Sequence, residues 1–246
     1  SGGVIGDDDL AASVTVTTKG HVWQDEGLGA IVGDNQSLSL ESVISSDFAN
    51  INLRQLLLET PAMTVRGQAM LDDAMVVSDA GLTADVADLS IFGPISGLDL
   101  SGQGQVSLSD IKWSMENGGG FDVAVNGTQT GFGISDLDRI VGPSPTLAGS
   151  VAISPEFDMA IDLNQVQTAT VTGAAKVDLT ETFGQMAIDA NLDIAPGTVP
   201  PGIGVAIAPA KLTIALDGPT SAPAGVINLS TAKVDAAGQV LENVKL

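Results

Sequence analysis

The sequence predicts an all-β fold of mostly antiparallel strands joined in meandering hairpins, and three observations carry that prediction. Apolar and polar residues alternate over long stretches, the period of a strand with one buried and one wet face. Clusters of Gly, Pro, Asn and Asp interrupt the alternation at short intervals, where turns belong. What lies between those clusters leaves little room for helices.

Taken along the chain, the glycine run Asn117-Gly118-Gly119-Gly120 reads as a turn. Phe121, Val123 and Val125 then share one face of a strand that ends at Asn126-Gly127. Ile134 to Pro143 is the helix-like exception. Ser135 is a fair N-cap there, with Asp138 as a short capping-box partner. Leu137, Ile140 and Val141 form an apolar face, Gly142 suits the left-handed position after a helix, and Pro143 prevents continuation. Alternation returns in Met159–Asn164, Val171–Thr180 and, as the longest clean stripe, Met186–Ile194. Leu212–Asp217, the turn Asp217-Gly218-Pro219 and Ile227–Ser230 complete it.

A repeat underlies this order. Leu28-Gly29-Ala30-Ile31-Val32-Gly33 matches Leu137-Asp138-Arg139-Ile140-Val141-Gly142, so a second short helix is expected at Leu28–Val32. At the same offset Val14 and Val16 fall on Val123 and Val125, Leu38 on Leu147, and Ile44-Ser45 on Ile153-Ser154. Two stacked β-repeat units follow, 4–112 and 113–246, the second continuous with the first rather than an independent domain. Residues 1–3, Ser-Gly-Gly, read as a cloning remnant, and the remainder as a piece of a longer chain.

Composition removes several functions. With no Cys and one His among 246 residues, thiol chemistry, zinc ribbons and His-based triads drop out. Thirty acids against nine bases, a net charge of −21, oppose binding to nucleic acid or anionic surfaces. No apolar run is long enough to span a bilayer as a helix. The absence of Cys suits an oxidising compartment such as a periplasm.

Isolated motifs read as structure. Gly131-Phe132-Gly133 lacks the third glycine of a dinucleotide loop, and Asp136 and Asp138 would repel phosphate. Ser109 and Lys112 match a Ser-x-x-Lys nucleophile pattern, but strict alternation would aim them at opposite faces. His21 has no second ligand nearby, and Asp7-Asp8-Asp9 and Asp72-Asp73 lack the spacing of a calcium loop, so no metal or cofactor is expected. No pair of carboxylates stands out for glycoside chemistry, and the chain is not read as an enzyme.

The apolar face of each sheet must meet another sheet, fold over on itself, or hold a hydrophobic guest. Its lining is aliphatic, with few rings, and is chemically matched to acyl chains. The residues expected to line such a groove are Val123, Val125, Met159, Ile161, Leu163, Val171, Val177, Met186, Ile188, Leu192, Ile194, Leu212, Ile214 and Leu216. Asp122, Asp162, Asp178, Asp189 and Asp193 are expected to face outward, keeping the sheet soluble and discouraging edge-to-edge association. The alternative is a structural or adhesive β-repeat module of a surface or secreted protein, with a closed, dry core.

Two phrases carry a family resemblance. Asp136-Leu137-Asp138-Arg139-Ile140-Val141-Gly142 followed by Leu147-Ala148-Gly149, and Leu216-Asp217-Gly218-Pro219-Thr220-Ser221-Ala222-Pro223-Ala224-Gly225, resemble the central β-repeat region of the translocation and assembly module (TamB) proteins within the AsmA-like group. The resemblance covers roughly residues 85 to 246 and reaches the first part through the repeat. It implies an elongated, folded-over antiparallel sheet, a β-taco or repeating β-groove, with an apolar concave face. It also implies a periplasmic segment of an inner-membrane-anchored, bridge-like lipid-transfer protein. Phospholipid acyl chains would be the cargo. An Omp85-type outer-membrane partner would bind through a region absent here and link the protein to outer-membrane protein assembly. The family has no catalytic signature to carry over.

Overall fold

The structure, a computed structural model, describes residues 2–5, 9–20, 29, 31–180, 183–197, 205–236 and 239–245. It is all-β, one elongated, folded-over antiparallel sheet. In chain order the strands are β1 (Gly2–Ile5), β2 (Asp9–Thr18), β3 (Gln36–Ile44), β4 (Asn50–Glu59), β5 (Met63–Asp72), β6 (Val77–Val86), β7 (Ser101–Ser114) and β8 (Gly118–Gly131). They continue with β9 (Thr146–Ile153), β10 (Met159–Gln167), β11 (Val171–Thr180), β12 (Gln185–Ile194), β13 (Val205–Ile207), β14 (Ala210–Pro219), β15 (Ala224–Ala236) and β16 (Gln239–Lys245). From β1 to β12 each strand pairs with its sequence neighbours; β14 follows β12, β15 follows β14, and β13 and β16 both pair with β15. At about 4.8 Å per strand this path is close to 70 Å long.

The two long rims differ. Three connections at one rim are longer and hold helical turns: Gly29, Ile31 and Val32 before β3, Leu89–Phe92 with Gly93–Ser96 before β7, and Ser135–Val141 before β9, while β4–β5 and β10–β11 close there as short hairpins. Leu28 and Ala30 of the helix expected at Leu28–Val32 lie outside the described residues. At the other rim the hairpins are tight. Backbone hydrogen bonds from Phe48 N to Ser45 O (2.9 Å), Met75 N to Asp72 O (3.0 Å) and Phe157 N to Ser154 O (3.0 Å) close three of them.

Several strands are not straight. The pairing register shifts beside Arg54 and Gln55 in β4, around Asp79 in β6, around Asp110 in β7, and around Asn164 in β10. These are β-bulges, which bend a strand and sharpen its twist. Asp79 (φ 44°) and Asp110 (φ 50°) take the left-handed conformation that Asp tolerates better than most residues. Gly149 and Gly173 accompany the bulge in β10: a Cβ on Gly149 would lie 2.2 Å from Asp162 O, and one on Gly173 2.1 Å from Asn191 O. Bulges and close-approach glycines together curl a large sheet on itself.

The repeat has a physical counterpart. The order β2, helical turn, β3, β4, β5 recurs as β8, helix, β9, β10, β11. Thr60 Oγ1 donates to Ile31 O (3.5 Å), and Thr170 Oγ1 donates to Ile140 O (3.0 Å). Each link ties a helical turn to the next hairpin on its rim. Residues 112 and 113 lie within β7, and the sheet runs through them unbroken. Gly3 and Gly2, set aside in the sequence reading, sit in β1 opposite Ala11 and Ala12.

The Ser135–Val141 helix forms as expected but is capped differently. Ile134 is the N-cap and makes no side-chain bond, so the box between Ser135 and Asp138 does not form. Asp138 Oδ1 accepts instead from Phe132 N at 2.5 Å. Gly142 has φ 74° and ψ −179°, not the left-handed helical values expected of it, because the chain turns straight out toward β9. A Cβ there would lie 2.5 Å from the Ala169 Cβ.

Candidate functional site

Directly opposed residues in an antiparallel sheet share a face, so register alone traces what each face carries. One row begins at Val16 and passes through Leu38, Leu58, Val65, Ala84, Val106, Val125 and Leu147. It continues through Val166, Gly173, Leu192, Leu212 and Leu229. No polar side chain interrupts it from β2 to β15. A second row, beyond the bulges, runs from Leu10 through Ile44, Ile51, Leu71, Val77, Trp113 and Gly119 to Ile153, Met159, Leu179 and Met186. It is equally apolar. Between them, Phe121, Val151, Ile161, Val177, Ile188 and Leu216 line up across β8 to β14.

All fourteen residues expected to line the groove fall on this one face, and all are half-buried. The face is not the inside of a filled core. Among the described residues no large side chain is fully enclosed, and the most deeply packed apolar residues on this face are Ala80, Val86, Val151, Ala190 and Ala210. The accessible surface is 14426 Å², against about 10,000 Å² for a compact monomer of this mass. The excess is what a single curled layer, rather than two layers packed together, leaves open.

The first half of this face lies outside the fourteen residues expected from alternation. Leu38, Leu40, Leu56, Leu58, Leu82 and Leu108 belong to it as fully as the residues named in advance. In β3 the signal is intact, with Leu38, Leu40 and Ile44 in one phase, but in the strands that follow it is broken. Ile51 and Leu53 alternate in one phase and Leu56 and Leu58 in the other, because the bulge at Arg54–Gln55 inserts an extra residue. Asp79 and Asp110 reset the phase of β6 and β7 in the same way.

The opposite face is mainly polar, with Val43, Leu57 and Met70 as apolar exceptions in the first half. Thr64, Asp85, Gln105, Asn126, Thr146 and Gln167 oppose one another from β5 to β10. Thr172, Asp193, Lys211, Ser230 and Lys245 continue the row to β16. Cross-strand ion pairs decorate it: Arg66 with Asp85 (2.8 Å), Lys176 with Asp162 (2.8 Å) and Lys211 with Asp193 (2.7 Å). The hydrogen bond from Lys176 to Asp162 raises the lysine above its ordinary pKa, and the charges of Asp162, Asp178 and Asp189 add to that. These pairs are solvent-exposed, so they contribute register and solubility more than stability. Asp122, Asp162, Asp178, Asp189 and Asp193 all lie on this face.

The remaining motifs resolve one by one. Ser109 and Lys112 are both on the polar face, opposite Asp122 and Gly120, a correction to strict alternation. The bulge at Asp110 supplies the extra residue that brings them round. Both are exposed, and no hydrogen bond joins them. Phe132 N, the amide a phosphate would need in Gly131-Phe132-Gly133, is taken by Asp138. Asp72 Oδ1 accepts from Val76 N (2.8 Å), a turn contact. His21, Asp7 and Asp8 lie outside the described residues. Among the described residues no group of three or more His, Cys, Asp or Glu is placed to hold a metal, and no helix is long and apolar enough to cross a membrane.

The chain matches no protein-family model, no curated protein and no solved structure.

Proposed function

We propose that the apolar face is a trough that shields the acyl chains of phospholipids while their headgroups stay in water. The chain would then serve as a periplasmic segment of a bridge-like carrier between inner and outer membrane, of the kind its resemblance to the TamB and AsmA-like proteins suggests. The single observation that supports this is the continuity of the apolar row from β2 to β15 on a face that, among the described residues, no second layer fills. A site for one guest would be a pocket with convergent polar groups. Here every strand offers much the same aliphatic surface, so no position holds a chain much better than the next. Each buried methylene stabilises the guest by about 0.8 kcal/mol, and a guest that slides keeps nearly all of that gain.

The test is native mass spectrometry of the gently purified protein, joined to photocrosslinking from Ile161. Phospholipid that copurifies and crosslinks from this face is the expected result. Consistent absence of lipid would refute the reading and favour the adhesive module.

A further inference from the structure

The tight-hairpin rim carries an unusual set of side chains. Five successive hairpins there, β3–β4, β5–β6, β7–β8, β9–β10 and β11–β12, present Phe48, Met75, Met115, Phe157 and Phe183. They are 74, 61, 83, 60 and 45% exposed. The chain has only six Phe and six Met in all, so the tips hold a large share of both. Hairpins repeat every two strands, which spaces these tips about 10 Å apart along one side of the trough.

Four of the five occupy a conformation that does not suit them. Phe48 (φ 58°), Met75 (φ 60°), Phe157 (φ 68°) and Phe183 (φ 69°) are left-handed. This hairpin position usually goes to Gly or Asn, and a bulky side chain there is an outlier. Turn formation alone would select glycine four times over, and this chain uses glycine freely elsewhere, with 29 in its sequence. Something other than the turn selects these side chains, and strain of this kind accumulates where function demands it.

Their placement indicates what that is. Phe48 lies between Ile44 and Ile51, Met75 between Leu71 and Val77, and Phe157 between Ile153 and Met159. These flanking residues belong to the apolar row nearest this rim. The Phe157 ring lies 6.0 Å, centroid to centroid, from Trp113, itself a member of that row. Phe157 therefore extends the apolar wall beyond the last hydrogen-bonded residues, and the other tips hold the corresponding place in their own hairpins on the same rim. Acids accompany them, namely Asp47, Asp73, Glu116 and Glu156, which disfavours insertion into an anionic bilayer.

We propose that Phe48, Met75, Met115, Phe157 and Phe183 form a lip that retains acyl chains in the trough, extending its wall over the guest along this one rim. This rests on the trough reading above and adds to it the residues that set how long a guest stays. Phe48→Gly, Met75→Gly, Phe157→Gly and Phe183→Gly, combined in one chain, test it. The melting temperature is expected to stay level or rise, since glycine relieves all four backbones. Bound phospholipid is expected to pass to acceptor phosphatidylcholine vesicles at least fivefold faster than from the parent. A clear fall in melting temperature would assign the tips to folding and overturn the proposal. Unchanged lipid release would overturn it while leaving the trough intact. Flotation of the delipidated parent with the same vesicles, lost in the variant alongside unchanged release, would overturn it in favour of a bilayer-docking rim. A parent that carries no lipid would sink both the trough and the lip.

Discussion

Placing a charge on the apolar face should separate holding a guest from moving it. Ile188 sits mid-trough, directly opposite Val177 and Leu216. It is half-buried, so Ile188→Asp removes only part of the 1.5–3 kcal/mol that full burial of such a side chain provides, about 1 kcal/mol of fold stability. An acyl chain crossing this point loses contact for roughly two methylenes, about 1.6 kcal/mol. It must also strip some water from a carboxylate with no partner on that face, a further 1–2 kcal/mol or so. The sum, near 3 kcal/mol, corresponds to a roughly 100-fold barrier to passage. A guest can rest elsewhere on a uniform lining, so occupancy should fall less than twofold. Transfer of fluorescent phospholipid between donor and acceptor vesicles, read beside native mass spectra, measures both. Thr213→Asp is the control: an exposed polar-face residue opposite Asn191 and Asn228, where a charge meets water. Transfer that survives Ile188→Asp, or that falls equally with Thr213→Asp, would refute the reasoning.

Other outcomes follow from single features. Gly173→Ala sets a Cβ against Asn191 O from a backbone at φ 154° and should lower stability by about 2 kcal/mol, measured by chemical denaturation. In acid, Asp47, held low by hydrogen bonds from Ser45 Oγ and Ala49 N, and Asp88, held low by Ser90, anchor their turns. Depressed carboxylates contribute fully above their unfolded value of 3.8, and that contribution disappears as pH falls through the lower folded values. Hydrogen-exchange protection at Ala49 and Ser90, taken relative to the intrinsic rate at each pH, should fall below, not above, that point. Lys176 behaves oppositely: its raised pKa keeps its contribution intact up to 10.5, and it is lost only as pH climbs through the higher folded value, visible as a drop in melting temperature in strong alkali. Ile227 is 59% exposed on a stretch of β15 that β16 does not cover. Ile227→Lys should therefore reduce light scattering near the isoelectric point of about 4.1, where charge no longer keeps exposed edges apart.

How much of this was legible depended on whether strands were straight. In β11, β12 and β14 no register shift interrupts the pairing, and the alternation of Met186–Ile194 can be read directly as one face. In β4, β6, β7 and β10 a bulge adds a residue, and period-two reading loses phase midway. Alternation alone therefore does not reach Leu56, Leu58, Leu82 and Leu108, and it puts Ser109 and Lys112 on opposite faces. The Ser135–Val141 helix was found from its apolar spacing and its Gly-Pro stop. Its cap was not, because Asp138 had a tertiary partner in Phe132 N that no local pattern encodes. The rim tips were invisible for a related reason: hydrophobes in turns obey no period, and only the pairing shows that five of them share one side.

The meander also governs how such a molecule comes into being. Apart from β13, each strand finds its partner next to it in the chain, so no distant segment must be awaited before hydrogen bonds close. Loop closure is then brief and inexpensive at every step. The polypeptide can lay down its layers in the order they are delivered, from either terminus, and a local defect loosens its neighbours without dissolving what lies many hairpins away. Denaturation should accordingly be gradual and divisible, unlike the all-or-none collapse of a domain organised around one interior.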